Sequence, residues 1–436
     1  MKFIPSILFA IALIAGIGYF TRNVKKLVRN IKLGKDVDVS DNTEQRWRNM
    51  IRIALGQGKM VRRPVAGILH IIVYLGFIII NIEVLEIIID GLLGTHRIFS
   101  GMGTFYGVLI GSFEILAALV FVSVVIFWIR RNIIKLQRFW KAEMTSWPKN
   151  DANYILYFEM VLMALFLIMN ATDVHFQEMN SGNVISGLIA PLFEGLSEGT
   201  LHFIERSAWW LHILGILVFL NYLYFSKHLH ILLAFPNTYF GKVKPKGELD
   251  NLEAVTNEVM LMMDPNADPF AAPEPSEEEE EPSKFGASDV QDLNWVQLLN
   301  AYTCTECGRC TSECPANQTG KKLSPRKIMM DTRDRLEEVG KNIDANNGEF
   351  KDDGKQLLDD YITREELWAC TSCNACVEAC PVSIDPLSII LDMRRYLVME
   401  QSAAPIELNN MMSNIENNGA PWPYNQMDRL NWKDEA

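Results

Sequence analysis

All eight cysteines of this 436-residue chain fall into two copies of one motif, and fifty-five residues separate the copies. Each copy has three cysteines at intervals of three residues and a fourth followed by proline: Cys304, Cys307, Cys310, Cys314 and Pro315, then Cys370, Cys373, Cys376, Cys380 and Pro381. In proteins with two 4Fe–4S clusters, the first three cysteines of such a run hold one cluster and the fourth holds the other. The motif therefore predicts cluster one on Cys304, Cys307, Cys310 and Cys380, and cluster two on Cys370, Cys373, Cys376 and Cys314. Zinc sites more often use paired Cys-x-x-Cys knuckles, and a reducing cytoplasm disfavours disulfides.

Five apolar runs are long enough to cross a bilayer. They lie at about residues 3–20, 65–90, 103–129, 153–172 and 207–233. The loops at 21–64 and 130–150 carry twelve and six Lys and Arg residues, which predicts that both are cytoplasmic. In a signal peptide the basic residues precede the apolar run, but here they follow it. We therefore interpret the first run as an uncleaved membrane anchor. We expect a bacterial inner-membrane protein with its N-terminus outside and its C-terminal half in the cytoplasm.

The rest of the chain is acidic, and the net charge of −12 argues against nucleic-acid binding. Residues 241–288 predict a linker that is rich in Pro and Glu, including Glu277–Glu281. Helix-start signals at Ser324-Pro325, Thr363 and Asp385-Pro386, with no clear strand pattern, predict an all-α fold for residues 289–402. The expected organisation is a five-span membrane domain (1–240), this linker, a helical dicluster ferredoxin domain (289–402) and a C-terminal tail (403–436).

Histidines within the apolar runs are costly in a bilayer, so each is a functional candidate. His212 and His230 are 18 residues apart, which on one helix is five turns and about 27 Å along the axis. His70 lies early in the second span, at the depth of His230, and this pair predicts a b-type haem. The alternatives are that both are structural histidines, or that His228 replaces His230 as the ligand.

A second haem is an open question in the sequence. His212 has no histidine opposite it in the second span, and His96 in the outer loop is the best remaining partner. Glu83, Glu86 and Asp90 recur at helical spacing nearby. They are consistent either with a hydrogen-bonded structural cluster or with a quinone site that exchanges protons.

Two groups of residues resemble known families. The five spans with His70, His212 and His230 resemble the cytochrome b subunit of respiratory nitrate reductase and membrane subunits of heterodisulfide-reductase-like complexes. The second likeness is carried by Trp209-Trp210-Leu-His212, Ser226-Lys227-His228-Leu-His230 and Pro236-Asn237. The first cysteine copy with Leu323-Ser324-Pro325-Arg326 is similar to the helical dicluster domain of heterodisulfide reductase and of glycerol-3-phosphate or lactate oxidoreductase subunits. The nitrate reductase subunit has a second histidine where this chain has Ile80, so the resemblance leaves the second haem open.

The resemblance implies a membrane electron-transfer subunit of a quinone-linked oxidoreductase. Electrons would pass between a cytoplasmic partner and menaquinone or ubiquinone through the two clusters and haem b. The implied partner is a cysteine-rich, heterodisulfide-reductase-like subunit or a flavin dehydrogenase, since no substrate-oxidising site is visible in this chain. The alternative function is a membrane-tethered iron–sulfur redox sensor or assembly factor that lacks quinone chemistry.

Overall fold

The computed structural model describes residues 3–265 and 284–434, and the acidic run Glu277–Glu281 lies outside these ranges. The described part is helical and contains no β-strand, which confirms the all-α prediction. In the first half the helices are α1 Ile4–Ile31, α2 Thr43–Met50, α3 Pro64–Leu93, α4 Thr104–Asn132, α5 Trp147–Thr172, α6 Val174–Glu178, α7 Ser186–Ile189, α8 Glu198–Tyr222, α9 His230–Phe240 and α10 Glu253–Met263. In the second half they are α11 Trp295–Thr303, α12 Arg309–Glu313, α13 Pro315–Gln318, α14 Pro325–Ala345, α15 Leu357–Asp360, α16 Arg364–Trp368, α17 Ala375–Ala379, α18 Pro386–Met399 and α19 Ile406–Asn418.

Five of the described helices are long and apolar enough to cross a membrane: α1, α3, α4, α5 and α8 with the turn that follows it. They form a closed ring, because α1 packs on α3, α3 on α4, α4 on α5, α5 on α8, and α8 on α1. Glycines let neighbouring helices approach closely. A Cβ atom at Gly76 would clash with the Val120 side chain, and one at Gly91 would lie 2.7 Å from the Phe9 ring. Such contacts stabilise helix pairs where no water is available to drive association.

The fifth spanning helix ends earlier than the sequence predicts. We expected one helix through residue 233, but α8 ends at Tyr222 and the backbone is extended at Ser226. The Ser226 hydroxyl accepts a hydrogen bond from the backbone N–H of His228 (3.0 Å), and α9 begins two residues later at His230. The apolar residues continue across this break, so hydropathy alone could not reveal it. His212 and His230 therefore lie on two helices, and the prediction of one shared helix face is wrong.

The second half of the chain packs directly on the ends of the membrane helices. The last turns of α1 reach α11 and α14, where the Asn30 amide donates to the Tyr302 hydroxyl (2.9 Å). Backbone bonds join Lys35 to this half: its N–H donates to Leu293 (2.8 Å), and its carbonyl accepts from Trp295 (3.1 Å). The packed region starts a few residues before the predicted boundary at 289, because Ala287 is buried in the same core as the cysteines.

Candidate functional site

The two cysteine motifs adopt the same backbone path. In each copy the second and fourth residues after the first cysteine take positive φ: Glu306 (53°) and Gly308 (69°), then Ser372 (54°) and Asn374 (59°). Glycine and asparagine adopt this left-handed conformation more readily than other residues, and they occupy the later position in the two copies. The positive φ angles curve each loop around a single point. A short helix follows in each copy, α12 and α17, and these two helices pack against each other.

The fourth cysteine of each copy lies with the first three of the other. Burial raises the pKa of Cys310 far above the ordinary thiol value, and the charges of Cys307, Cys304 and Cys380 raise it further. The pKa of Cys376 is also raised by burial, and then by Asp385, Cys370 and Cys314. The fold thus brings the cysteines together in two adjoining groups that each draw on both copies.

The buried thiols are suited to a metal cluster. Burial raises the pKa of Cys304 to about 12 and that of Cys380 to about 11, so neither would ionise at neutral pH without a nearby cation. A bound metal removes that penalty by coordinating the thiolate. Backbone N–H groups of Ser372 and Ile384 already point at the sulfurs of Cys370 (3.4 Å) and Cys380 (3.3 Å). Two groups of four sulfur donors fit two 4Fe–4S clusters.

His70 on α3 and His230 at the start of α9 face each other. Their ring centres are 6.3 Å apart and the ring planes are inclined by 37°. Two imidazoles that bind one iron from opposite sides, each at a metal–nitrogen distance of about 2.0 Å, have ring centres about 6.3 Å apart. The His230 Nδ1–H donates to the Lys227 carbonyl (3.0 Å), which leaves Nε2 free as a ligand. The His70 Nδ1 atom is buried without a hydrogen-bond partner in the described structure. His70 and His230 are therefore the residues that would hold a haem iron.

His228 has different neighbours. Its Nε2 lies 3.7 Å from the Glu159 carboxylate, and its ring packs against Phe219 with centres 5.3 Å apart. These contacts point the imidazole between α5 and α8, whereas His230 faces His70.

The structure does not bring His212 and His96 together. His212 is buried in α8, donates from Nδ1 to the Leu162 carbonyl (3.0 Å) and packs on Phe166. His96 is 43% exposed, and its Nε2 lies 3.1 Å from the Asp173 carboxylate. Its other neighbours, Arg206 and His175, also lie at the outer ends of the helices.

The acids of α3 divide into two kinds. Glu86 accepts hydrogen bonds from the Phe99 N–H (2.9 Å) and the Tyr106 hydroxyl (3.0 Å). Asp90 accepts from the Arg97 N–H (2.7 Å), so both acids hold the loop between α3 and α4 in place. Glu83 is buried and one of its carboxylate oxygens has no partner among the described residues. The contacts favour a structural role for Glu86 and Asp90 and leave Glu83 as the candidate for proton exchange.

Sequence reasoning missed a buried arginine at the centre of this region. Arg97 donates to Asp173 (2.7 Å), Asn170 (2.8 Å) and the Tyr106 hydroxyl (3.3 Å) and lies 4.1 Å from the Phe176 ring centre. Its signal in the sequence is weak, namely a single arginine in a short outer loop beside an acidic helix end. It joins α5 to the loop between α3 and α4.

The first cysteine group lies against the segment that leads into α3. Arg309, between Cys307 and Cys310, donates to the carbonyls of Lys59 (3.2 Å) and Met60 (3.4 Å). In the second group, by contrast, Cys373 is exposed. Arg309 of the first motif thus contacts the segment that leads into the helix carrying His70.

A buried ion triad also ties the first motif to the segment before His230. Glu306 pairs with Lys227 through one carboxylate oxygen and with Arg333 (2.9 Å) through the other. Burial would raise the pKa of Glu306, but Lys227 and Arg333 lower it overall. The ionised carboxylate is thus held in place where the motif meets the membrane helices.

Glu306→Gln is expected to destabilise the fold by about 3 kcal/mol, because it removes the buried carboxylate that Lys227 and Arg333 share. Lys227 then keeps only the longer contact with Asp151 (3.8 Å), and Arg333 keeps only the exposed Asp334 (3.2 Å). The measurement is the temperature at which the purified protein loses its cluster absorbance. Glu365→Gln, which breaks an exposed pair with Lys322, is the matched control and should leave this temperature nearly unchanged, because solvent screens the pair. Equal effects of the two substitutions would show that the triad contributes no more than a surface pair.

Comparisons with known proteins are consistent with this geometry. Residues 303–384 match the model of the 4Fe-4S dicluster domain. The chain is 29% identical to the probable iron-sulfur-binding oxidoreductase FadF of Bacillus subtilis over 99% of this chain and 61% of that protein. It is 24% identical to the EtfAB:quinone oxidoreductase of Syntrophomonas wolfei over 92% of this chain and 55% of that protein. The chain thus spans about three fifths of the length of these two relatives.

A shorter match links the chain to a heterodisulfide reductase. It is 35% identical to a subunit of the ferredoxin/F(420)H(2)-dependent CoB-CoM heterodisulfide reductase of Methanosarcina acetivorans, over 27% of this chain and 60% of that protein. No solved structure matches the chain. The predicted resemblance to heterodisulfide reductase subunits is confirmed, and the relatives are iron–sulfur oxidoreductases.

Proposed function

We propose that this relative of iron–sulfur oxidoreductases and heterodisulfide reductase subunits passes electrons between a cytoplasmic oxidoreductase and membrane quinone. The route would use two 4Fe–4S clusters and one b-type haem. One observation carries the proposal: two imidazoles from different helices have ring centres 6.3 Å apart, next to a dicluster domain. A sensor or assembly factor would have no need for such a pair.

The order of carriers is part of the proposal. Arg309 links the first cysteine group to the segment before α3, while Cys373 of the second group is exposed. Electrons would therefore enter or leave through the cluster at Cys370, Cys373, Cys376 and Cys314 and cross to the cluster at Cys304, Cys307, Cys310 and Cys380. His70 and His230 would come next, and quinone last.

The residues of the chain have defined parts in this route. When bound, the clusters and the haem supply one-electron transfer. The Lys227 carbonyl fixes the tautomer and orientation of the His230 ring. Lys227 also pairs with Glu306 of the first motif, so a single residue positions both the haem ligand and the cluster loop. Glu83 is about 20 Å along α3 from His70 at 1.5 Å per residue, so it would exchange protons only with a quinone bound towards the outer side.

The partner is proposed by chemistry alone. One relative is named as an EtfAB:quinone oxidoreductase, and others are subunits of heterodisulfide reductases. A flavoprotein or a cysteine-rich subunit that presents its own redox group to the exposed Cys373 side would suit this chain. The proposed topology places that side in the cytoplasm, as the basic loops predict.

The test is the cofactor content of the purified full-length chain in lipid nanodiscs. Two cubane clusters and one haem give about nine iron atoms per chain, and the reduced-minus-oxidised spectrum should show a low-spin b-type band. Chemically reduced protein should then reduce a short-chain quinone. Protein that contains both clusters but no haem, from a host that makes haem, would overturn the proposal in favour of a sensor.

A further inference from the structure

A cavity of about 510 Å³ opens where α3 and α4 meet the iron–sulfur half of the chain. Its wall includes four arginines from three segments: Arg62 and Arg63 before α3, Arg130 in the last turn of α4, and Arg138 in the following loop. The first turn of α3 and the side chain of Ser312 complete it. Among the described residues, no acidic side chain lines this cavity. None of the assigned cysteines and histidines lines it, although Ser312 belongs to the first cysteine motif.

Two of the four positive charges are already paired and two are not. Arg62 pairs with Glu378, and Arg63 with Glu313 (2.9 Å). Arg130 has no ion pair or side-chain hydrogen bond in the described part of the chain. The Nε atom of Arg138 is buried and lacks a hydrogen-bond partner there.

The environment of Arg138 shows the resulting repulsion. The positive charges of Arg63, Arg309 and Arg130 lie close enough to repel its guanidinium group, and burial removes water that would otherwise solvate it. An anion in the cavity would relieve both the desolvation of Arg138 and the repulsion among the guanidinium groups.

The start of α3 adds to the same field. This helix has 30 residues and begins at Pro64, and residues 64–66 line the cavity, so the positive end of the helix dipole lies at the cavity wall. Arginine guanidinium groups bind phosphate oxygens in paired, planar geometry. The site therefore has the donors that a phosphate group requires.

The surroundings indicate where the phosphate comes from. Val65 (55% exposed) and Ile68 (58%) on α3, with Ile133 (63%) and Ile134 (59%) just after α4, present apolar surface beside the arginines. A soluble phosphate would gain nothing from this surface, whereas acyl chains would cover it. Basic pockets between membrane helices bind anionic lipid head groups in this manner. We infer that the cavity binds the phosphate of an anionic phospholipid whose acyl chains lie along α3 and α4.

The test uses the full chain and its double variant Arg130→Gln/Arg138→Gln in nanodiscs of phosphatidylglycerol and phosphatidylcholine. Native mass spectrometry after detergent exchange counts the retained lipids. Wild type should keep phosphatidylglycerol in preference to phosphatidylcholine, and the double variant should keep about 25-fold less, since each of the two charges near the surface is worth about a factor of five. Arg22→Gln, an exposed arginine on α1, is the matched control and should behave as wild type.

The outcomes separate the possible ligands. Intact cluster absorbance in the double variant shows that it has folded. The variant Arg130→Gln/Arg138→Lys keeps the charge at residue 138 and should retain more phosphatidylglycerol than the double variant. Equal retention by wild type and the double variant, or no preference between the two lipids, would overturn the inference. So would inorganic phosphate that displaces the lipid at equal concentration, because the ligand would then be the free anion.

Discussion

His70→Ala is expected to abolish the b-type haem spectrum and quinone reduction together, while both iron–sulfur clusters stay in place. The imidazoles of His70 and His230 come from separate helices and face each other at 6.3 Å, so removing one leaves any iron between them with a single axial ligand. The cysteines lie in a hydrophobic core that is built mainly by the second half of the chain, and His70 is not among its residues. Low-spin haem absorbance should fall to background, and quinone reduction by chemically reduced protein should fall with it.

Two control variants test the specificity of that result. His202→Ala should change nothing, because the His202 side chain is 75% exposed in the outer region. His228→Ala is the stricter control, since its ring lies 5.4 Å from His230 but points to Glu159. Loss of the haem in His228→Ala with retention in His230→Ala would reassign the ligand. Retention of the full haem spectrum in His70→Ala would remove the pair from the proposed route.

Cys314→Ser is expected to damage the cluster that is distant in sequence and to spare the adjacent one. Cys314 lies with Cys370 and Cys376 in the structure, although in the sequence it follows Cys310 by four residues. A serine oxygen is a poor substitute for a thiolate, so the cluster at Cys370, Cys373 and Cys376 should lose an iron or lower its potential. Paramagnetic resonance of the reduced protein should show one altered and one unchanged cluster.

Cys380→Ser is the reciprocal variant and should alter the cluster at Cys304, Cys307 and Cys310. The variant Cys373→Ser changes one exposed ligand of the second cluster. The resonance that it alters can therefore be assigned to that cluster. If Cys314→Ser and Cys310→Ser altered the same cluster, each cysteine copy would hold its own cluster, and the crossed assignment would be wrong.

The sequence alone determined which structural elements the protein contains. Apolar runs of about 20 residues specify membrane-spanning helices because backbone groups in hydrocarbon must bond within their own helix. The number of such helices, the all-α fold and the dicluster motif were all predictable for this reason. The positions where helices begin were also predictable from neighbouring residues: Ser324 and Thr363 cap their helices in the structure, as their sequence signals predict.

What the tertiary structure decided is which groups meet. The break at Ser226 interrupts an apolar run, so periodicity placed His230 on the wrong helix, while the structure places its ring centre 6.3 Å from that of His70. Arg97, Glu306 and Arg138 gain their roles only from partners far along the chain, which no local pattern encodes. The sequence left Glu86 and Asp90 open between a hydrogen-bonded structural cluster and a proton-exchange site, and the structure shows each accepting from a backbone N–H group of the loop between α3 and α4. Local preferences follow from neighbours within a turn or two, whereas burial and charge pairing depend on contacts between helices, and those exist only once the ring of helices has closed.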